Sequence, residues 1–171
     1  MTPERPGIPT GSALLLVLVL LIAAGLQSVV AGPLSGLTVG QPDFILVLVL
    51  VAALFTDSGV GCLVGFGGGL LTASLVGETV GSYLVSRVLA GFVAGRLSGR
   101  FFQGNLIVIL AAVFIGSVVA EVAYGLAAPP LRGVSLLRYL QTAGGNILWN
   151  TALALPAAWV LTRCGWNPNA R

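Results

Sequence analysis

Ser12-Ala-Leu-Leu-Leu-Val-Leu-Val-Leu-Leu-Ile-Ala-Ala-Gly-Leu-Gln-Ser-Val-Val-Ala31 runs for twenty residues without a charge. A helix needs ~20 mostly apolar residues to cross the ~30 Å hydrocarbon core of a bilayer, so 12–31 reads as a membrane span. Its end, Leu26-Gln-Ser-Val-Val-Ala31 ahead of Gly32, also resembles the small-residue end of a cleavable signal. The apolar run, however, exceeds the ~7–15 residues of a signal core. The reading adopted is a retained helix.

Working outward, apolar runs recur along the whole chain. After the Gly-rich loop from Gly32 to Gln41, Phe44 to Phe55 is apolar but short. It spans a membrane only if Asp43 and Asp57 sit at the interfaces or the bilayer thins locally. Further spans are read at 60–77, 80–97, 105–127 and 142–161, with 42–56 as the second and Pro156 a kink in the last. The expected fold is therefore all-α: one transmembrane domain over 1–171, a compact bundle of about six helices, with short tails from Met1 to Gly11 and Arg163 to Arg171.

Composition agrees. Apolar residues make up 57% of the chain and charged residues 8%, against about 25% charged in soluble domains. Such a chain cannot clothe a water-facing surface. There is no His, which removes the commonest general base and metal ligand. The net charge of +3 is too small and scattered for nucleic-acid binding. Cys62 and Cys164 form no motif and read as buried or free thiols rather than a disulfide. No HExxH, zinc spacing, Walker loop or Ser/His pair occurs, and Gly67-Gly68-Gly69 lacks the Lys-Ser/Thr of a phosphate loop. The expectation is a protein that is not an enzyme and holds no cofactor or metal.

Arginine sets the orientation. With six spans, Arg5, Arg96, Arg100, Arg163 and Arg171 fall on one side, against Arg132 and Arg138 on the other. Positive charge is retained in the cytoplasm, so both termini are expected there.

Two features inside the spans carry chemistry. Gly61, Gly65, Gly69, Ala73 and Gly77 recur at every fourth position of the third span. Tyr83, Arg87, Gly91, Gly95 and Gly99 do so on the fourth. In lipid, helices associate through close backbone approach rather than hydrophobic burial, and a four-residue Gly repeat makes a groove for it. The ladders therefore predict tight helix packing. Arg87 and Glu121 are charges placed within spans, seven residues after one outer start and six before one outer end. At ~1.5 Å per residue both lie about 10 Å deep in the outer half, and a charge pair between them is expected. Asn146, Trp149 and Asn150 open the last span, with the amides suited to bonds between helices and Trp149 to the interfacial belt.

At these residues the chain resembles a known family. Pro42-Asp43 before a short apolar run is similar to the second span of the MreD rod-shape proteins. Gly61-x3-Gly65-Phe66-x2-Gly69-Leu70-Leu71, Val80-Gly81 and Gly91/Gly95-Arg96-Leu97 resemble its central region. Leu148-Trp149-Asn150 with Leu153 and Pro156 resembles its last span. The resemblance covers roughly residues 40–163. One departure is that Thr72 and Ala73 stand where the family usually has an acid after Gly-Leu-Leu.

The resemblance implies a six-span, non-enzymatic scaffold of the bacterial inner membrane, serving cell elongation and peptidoglycan synthesis. Its implied partners are membrane lipid and an MreC-like protein, and through the latter RodA, a class B transpeptidase and MreB filaments. The family's fold is similar to the substrate-binding subunits of energy-coupling-factor vitamin transporters, which makes small-molecule capture the alternative. Capture needs convergent polar groups, and the outer segments supply little beyond Arg132, Arg138 and Tyr139.

Overall fold

The structure is a computed structural model, and it describes residues 10–35, 39–77, 80–101, 106–128 and 135–163. Every element among them is helical. α1 (Thr10–Leu26) continues through a π-helical turn (Gln27–Ala31) into a last α-turn (Gly32–Ser35). α2 is Phe44–Phe55, α3 Ser58–Val76, α4 Val80–Phe101, α5 Leu106–Ala127 and α6 Leu136–Arg163. Among the described residues, three segments are long and apolar enough to cross a membrane: Leu14–Ala31, Ser58–Val76 and Leu106–Ala127. α4 and α6 outrun the spans read at 80–97 and 142–161, because each carries polar turns that extend the helix beyond its apolar stretch. α6 also continues through Pro156.

α2 organises the rest. Ten of its twelve residues are buried, and it packs against all five other helices. An amphipathic helix hides one stripe, whereas a helix apolar all round is a core element. That is how Phe-Ile-Leu-Val-Leu-Val-Leu-Val-Ala-Ala-Leu-Phe behaves here. At ~1.5 Å per residue α2 is about 18 Å long, well short of the ~30 Å hydrocarbon core. The outer helices show the opposite pattern. Leu14, Val17, Leu18, Leu21 and Ile22 of α1 are exposed, while Leu20, Ala23 and Ala24 turn inward. Large apolar side chains on the outside are what lipid requires.

α2 and α3 meet in a tight turn. The Asp57 carboxylate caps α3, its Oδ1 accepting from Gly59 N at 2.7 Å and Val60 N at 3.1 Å. Thr56 Oγ1 donates to Ala52 O at 2.8 Å, and Ser98 Oγ of α4 donates to Thr56 O at 3.0 Å. α3 ends at Gly77, whose φ of 71° places it in the left-handed region that glycine tolerates.

The two glycine ladders face each other. A Cβ added at Gly61 would collide with the backbone carbonyl of Gly91, and one at Gly91 with that of Gly61. Gly65 abuts the carbonyl of Arg87, and Gly69 lies against Leu84 Cα and Tyr83 O. Gly95 meets the backbone of Asp57 and Ser58. Gly99 is in the last turn of α4, beyond the described side chains. Backbone therefore packs on backbone along most of the α3–α4 seam, the contact small residues permit in lipid.

Candidate functional site

The residues before α2 pose a problem of backbone accounting. A helix begins with several N–H groups that lack partners, and lipid has no water to take them. Val39 to Asp43 is non-helical chain leading into a helix that starts in the middle of the bundle. Gly40, with φ of 97°, lets this chain pass close to α6, since a Cβ there would lie 2.6 Å from Asn146 N.

Side-chain amides of the flanking helices replace water. Gln41 N donates to Asn146 Oδ1 at 2.8 Å. Pro42 has no N–H to satisfy and is buried. Asp43 N donates to Asn150 Oδ1 at 2.8 Å, and Phe44 N to Gln27 Oε1 at 2.8 Å. Gln27 also donates from Nε2 to Pro42 O at 3.1 Å, and it opens the π-helical turn of α1. Leu46 N donates to Asp43 Oδ1 at 2.8 Å, so Asp43 is itself the N-cap. The α2 entrance is thus tied to α1 by one glutamine and to α6 by two asparagines.

The charges converge on the same point. Arg87 of α4 is 5% exposed and forms a salt bridge from Nη2 to Asp43 Oδ2. Its Nη1 donates to Ser86 Oγ at 3.1 Å, and Ser86 Oγ donates to Ala120 O of α5 at 3.0 Å. The guanidinium stacks 4.8 Å from the Tyr83 ring centroid, and Tyr83 lies 4.9 Å from Tyr124. Arg87 Nε is buried without a partner, as is Asn150 Nδ2.

This corrects the expected pairing of Arg87 with Glu121. Glu121 Oε1 instead accepts from Asn146 Nδ2 at 2.9 Å. Matching depth along two helices brought both residues to one cavity, but depth carries no information about rotation around the helix axis. Arg87 turns inward to the central helix, where Asp43 stands at the same depth because α2 starts inside the bundle. Tyr139 OH donates to the Glu121 carbonyl at 2.7 Å, anchoring α6 on α5.

A cavity of about 110 Å³ lies among these groups, lined chiefly by Asp43, Thr72, Arg87, Glu121, Tyr124 and Asn146. Thr72, standing where the resembled family has an acid, is 4% exposed, with Oγ1 donating to Gly68 O at 2.9 Å. Of the family-like positions, Asp43 lines the cavity, and Pro42 and Asn150 adjoin it at the entrance to α2. Gly81 does not: nothing lies within 4 Å of an added Cβ there. Among the described residues no group of His, Cys, Asp or Glu is arranged to hold a metal ion. Cys62 is a free, half-buried thiol, and Cys164 lies outside the described residues.

Asp43 as the arginine's partner, and Gln27 and Ser86 as polar supports, were not foreseen from the sequence, whereas Asn146 was expected to bond between helices and does so. The available signal was Asp43 itself, an N-cap residue before a helix too short to reach the interface.

Asn150→Leu tests this accounting. It leaves the Asp43 N–H buried without an acceptor, and an unsatisfied buried donor costs about 1–3 kcal/mol. Thermal unfolding in detergent should show that loss. Thr151→Val, which removes only a hydroxyl donating to Ile147 O within its own helix, should be near neutral. Equal losses would mean that Asn150 does not hold the α2 entrance.

These features define a helical membrane protein whose interior polar groups support the start of a short central helix. A family model described as rod shape-determining protein MreD matches residues 10–160. The chain belongs to the MreD family, a family of membrane proteins that determine rod shape. No curated protein and no solved structure matches it.

Proposed function

We propose that this chain is a non-enzymatic scaffold subunit of the bacterial cell-elongation machinery. In this reading it crosses the inner membrane six times, with both termini in the cytoplasm. It binds an MreC-like protein, and through it RodA, a class B transpeptidase and MreB filaments, during peptidoglycan synthesis. The observation that carries the reading is the use of the polar interior. Gln27, Asn146, Asn150, Asp43, Ser86 and Arg87 all bond to the bundle's own backbone or to each other. Such an interior holds a fixed shape for others to bind. The vitamin-capture alternative needs more room, since pockets for molecules of that size run to roughly 300–1,000 Å³ and this cavity is about 110 Å³.

Depletion in the host should turn rods into spheres, with no vitamin restoring shape. Purification from native membranes should bring down an MreC-like protein with cell-wall synthases. Recovery of an ATPase pair, with a vitamin requirement and normal shape, would overturn the reading. For topology, cysteines engineered at Val39 and Leu137 should be labelled from outside the cell and one at Ser58 only from within.

A further inference from the structure

The lining of the cavity at the start of α2 has more carboxyl groups than cationic ones. It includes two carboxyl groups, Asp43 and Glu121, and one guanidinium, Arg87. Asp43 and Arg87 neutralise each other through their salt bridge. Both Asp43 oxygens are engaged, Oδ1 by Leu46 N and Oδ2 by Arg87. Glu121 is different: the partner of its Oε1 is the neutral Asn146 amide.

Position adds to this. The cavity is walled by the end of α1, the start of α2, the end of α3, the start of α4, the end of α5 and the first half of α6, with exposed Gln41 and Val76 also lining it. In an alternating bundle these are all the same end. Non-helical backbone at membrane depth is tolerated where it is buried in protein or lines a water-filled cavity, and interrupted helices commonly build ion sites there. An ionisable residue within a membrane bundle calls for a partner.

We infer that this cavity binds a small monovalent cation, with the Glu121 carboxylate as its counter-charge and the Tyr124 ring and Thr72 hydroxyl oxygen completing the wall. About 110 Å³ accommodates an alkali ion with a few waters, at ~30 Å³ per water, or an ammonium bearing a short alkyl group. A bulky quaternary or sugar-substituted ammonium is too large. The inference concerns a site on this chain and stands whether or not the scaffold reading holds.

The full chain in detergent, at constant ionic strength and pH, is compared in sodium, methylammonium and N-methylglucamine chlorides. A ligand that binds the native state raises the unfolding temperature. Sodium, methylammonium or both should raise it by about 3 °C or more over N-methylglucamine. Sodium alone would identify an inorganic ion, and methylammonium alone an organic amine. Glu121→Gln keeps an oxygen for Asn146 and should abolish the difference. Identical temperatures in all three salts, or a difference that survives in Glu121→Gln, overturn the site. If that variant does not accumulate, equilibrium dialysis of the wild-type chain with labelled sodium and labelled methylammonium decides. Retention of one cation per chain supports the site, and retention of neither overturns it.

Discussion

Leucine in place of Gly61 or Gly91 is expected to abolish the folded bundle. At each position the first atom added, Cβ, falls on the opposite backbone carbonyl, with the carbonyl carbon at 2.8 Å. A flexible side chain could rotate away, but a carbonyl within a helix can move only if the helix moves. α3 cannot withdraw from α4 without pulling on α2, which packs against both. Overpacking a core commonly costs about 1–3 kcal/mol. A clash between two backbones with no soft atom between them belongs above that range, at more than ~3 kcal/mol. Melting of purified variants, or their recovery from membranes, reads the effect. Gly67→Leu is the control, since Gly67 is on α3 with nothing within 4 Å of its added Cβ. Similar losses at Gly61 and Gly67 would show that the α3–α4 seam is not the cause.

The ladders illustrate which parts of this fold can be read from sequence. A four-residue repeat of glycine on neighbouring helices specifies a stripe on each. Two stripes separated by only a few residues of chain make packing of α3 on α4 the default expectation, and the structure supplies the partners, Gly61 with Gly91 and Gly65 with Arg87. α2 is harder to read. Its run of apolar residues has no preferred face, so periodicity gives no direction, and its length alone marks it as central rather than lipid-facing. Once α2 is seen to be central and short, the depth of Asp43 follows.

The site was legible only in part for the same reason. Arg87, Glu121, Asp43 and Asn150 could each be singled out as polar groups in apolar surroundings. Their pairing depends on rotation about helix axes and on where the non-helical chain from Val39 to Asp43 crosses the bundle. Neither is encoded within a short window. Gln27 shows this well, because it lies in an otherwise apolar run and looks incidental. Its purpose is visible only when Pro42 O and Phe44 N, fifteen and seventeen positions away, are found within reach of one amide.

The pairing of Arg87 has a decisive test in double-mutant cycles. Arg87→Met keeps the length and apolar stem of the side chain but leaves the Asp43 carboxylate facing no cation. Asp43→Asn keeps an oxygen to cap α2 and leaves Arg87 without a counter-charge. Breaking a buried pair by removing one member costs about 3–5 kcal/mol, so each single variant should be severely destabilised in unfolding experiments in micelles. Replacing both members removes the uncompensated charge, and such exchanges of buried pairs are often nearly neutral. The double variant should therefore approach wild-type stability, with a coupling of ~1.5 kcal/mol or more between the two positions. The cycle of Arg87→Met with Glu121→Gln should give a smaller coupling than the Asp43 cycle, since these two side chains share the cavity while the salt bridge of Arg87 is to Asp43. The two cycles share one variant and differ only in which carboxylate is removed. A larger coupling to Glu121 than to Asp43 would restore the pairing that depth alone suggests. It would also move the cation site, since Asp43 would then be the carboxylate left without a cationic partner.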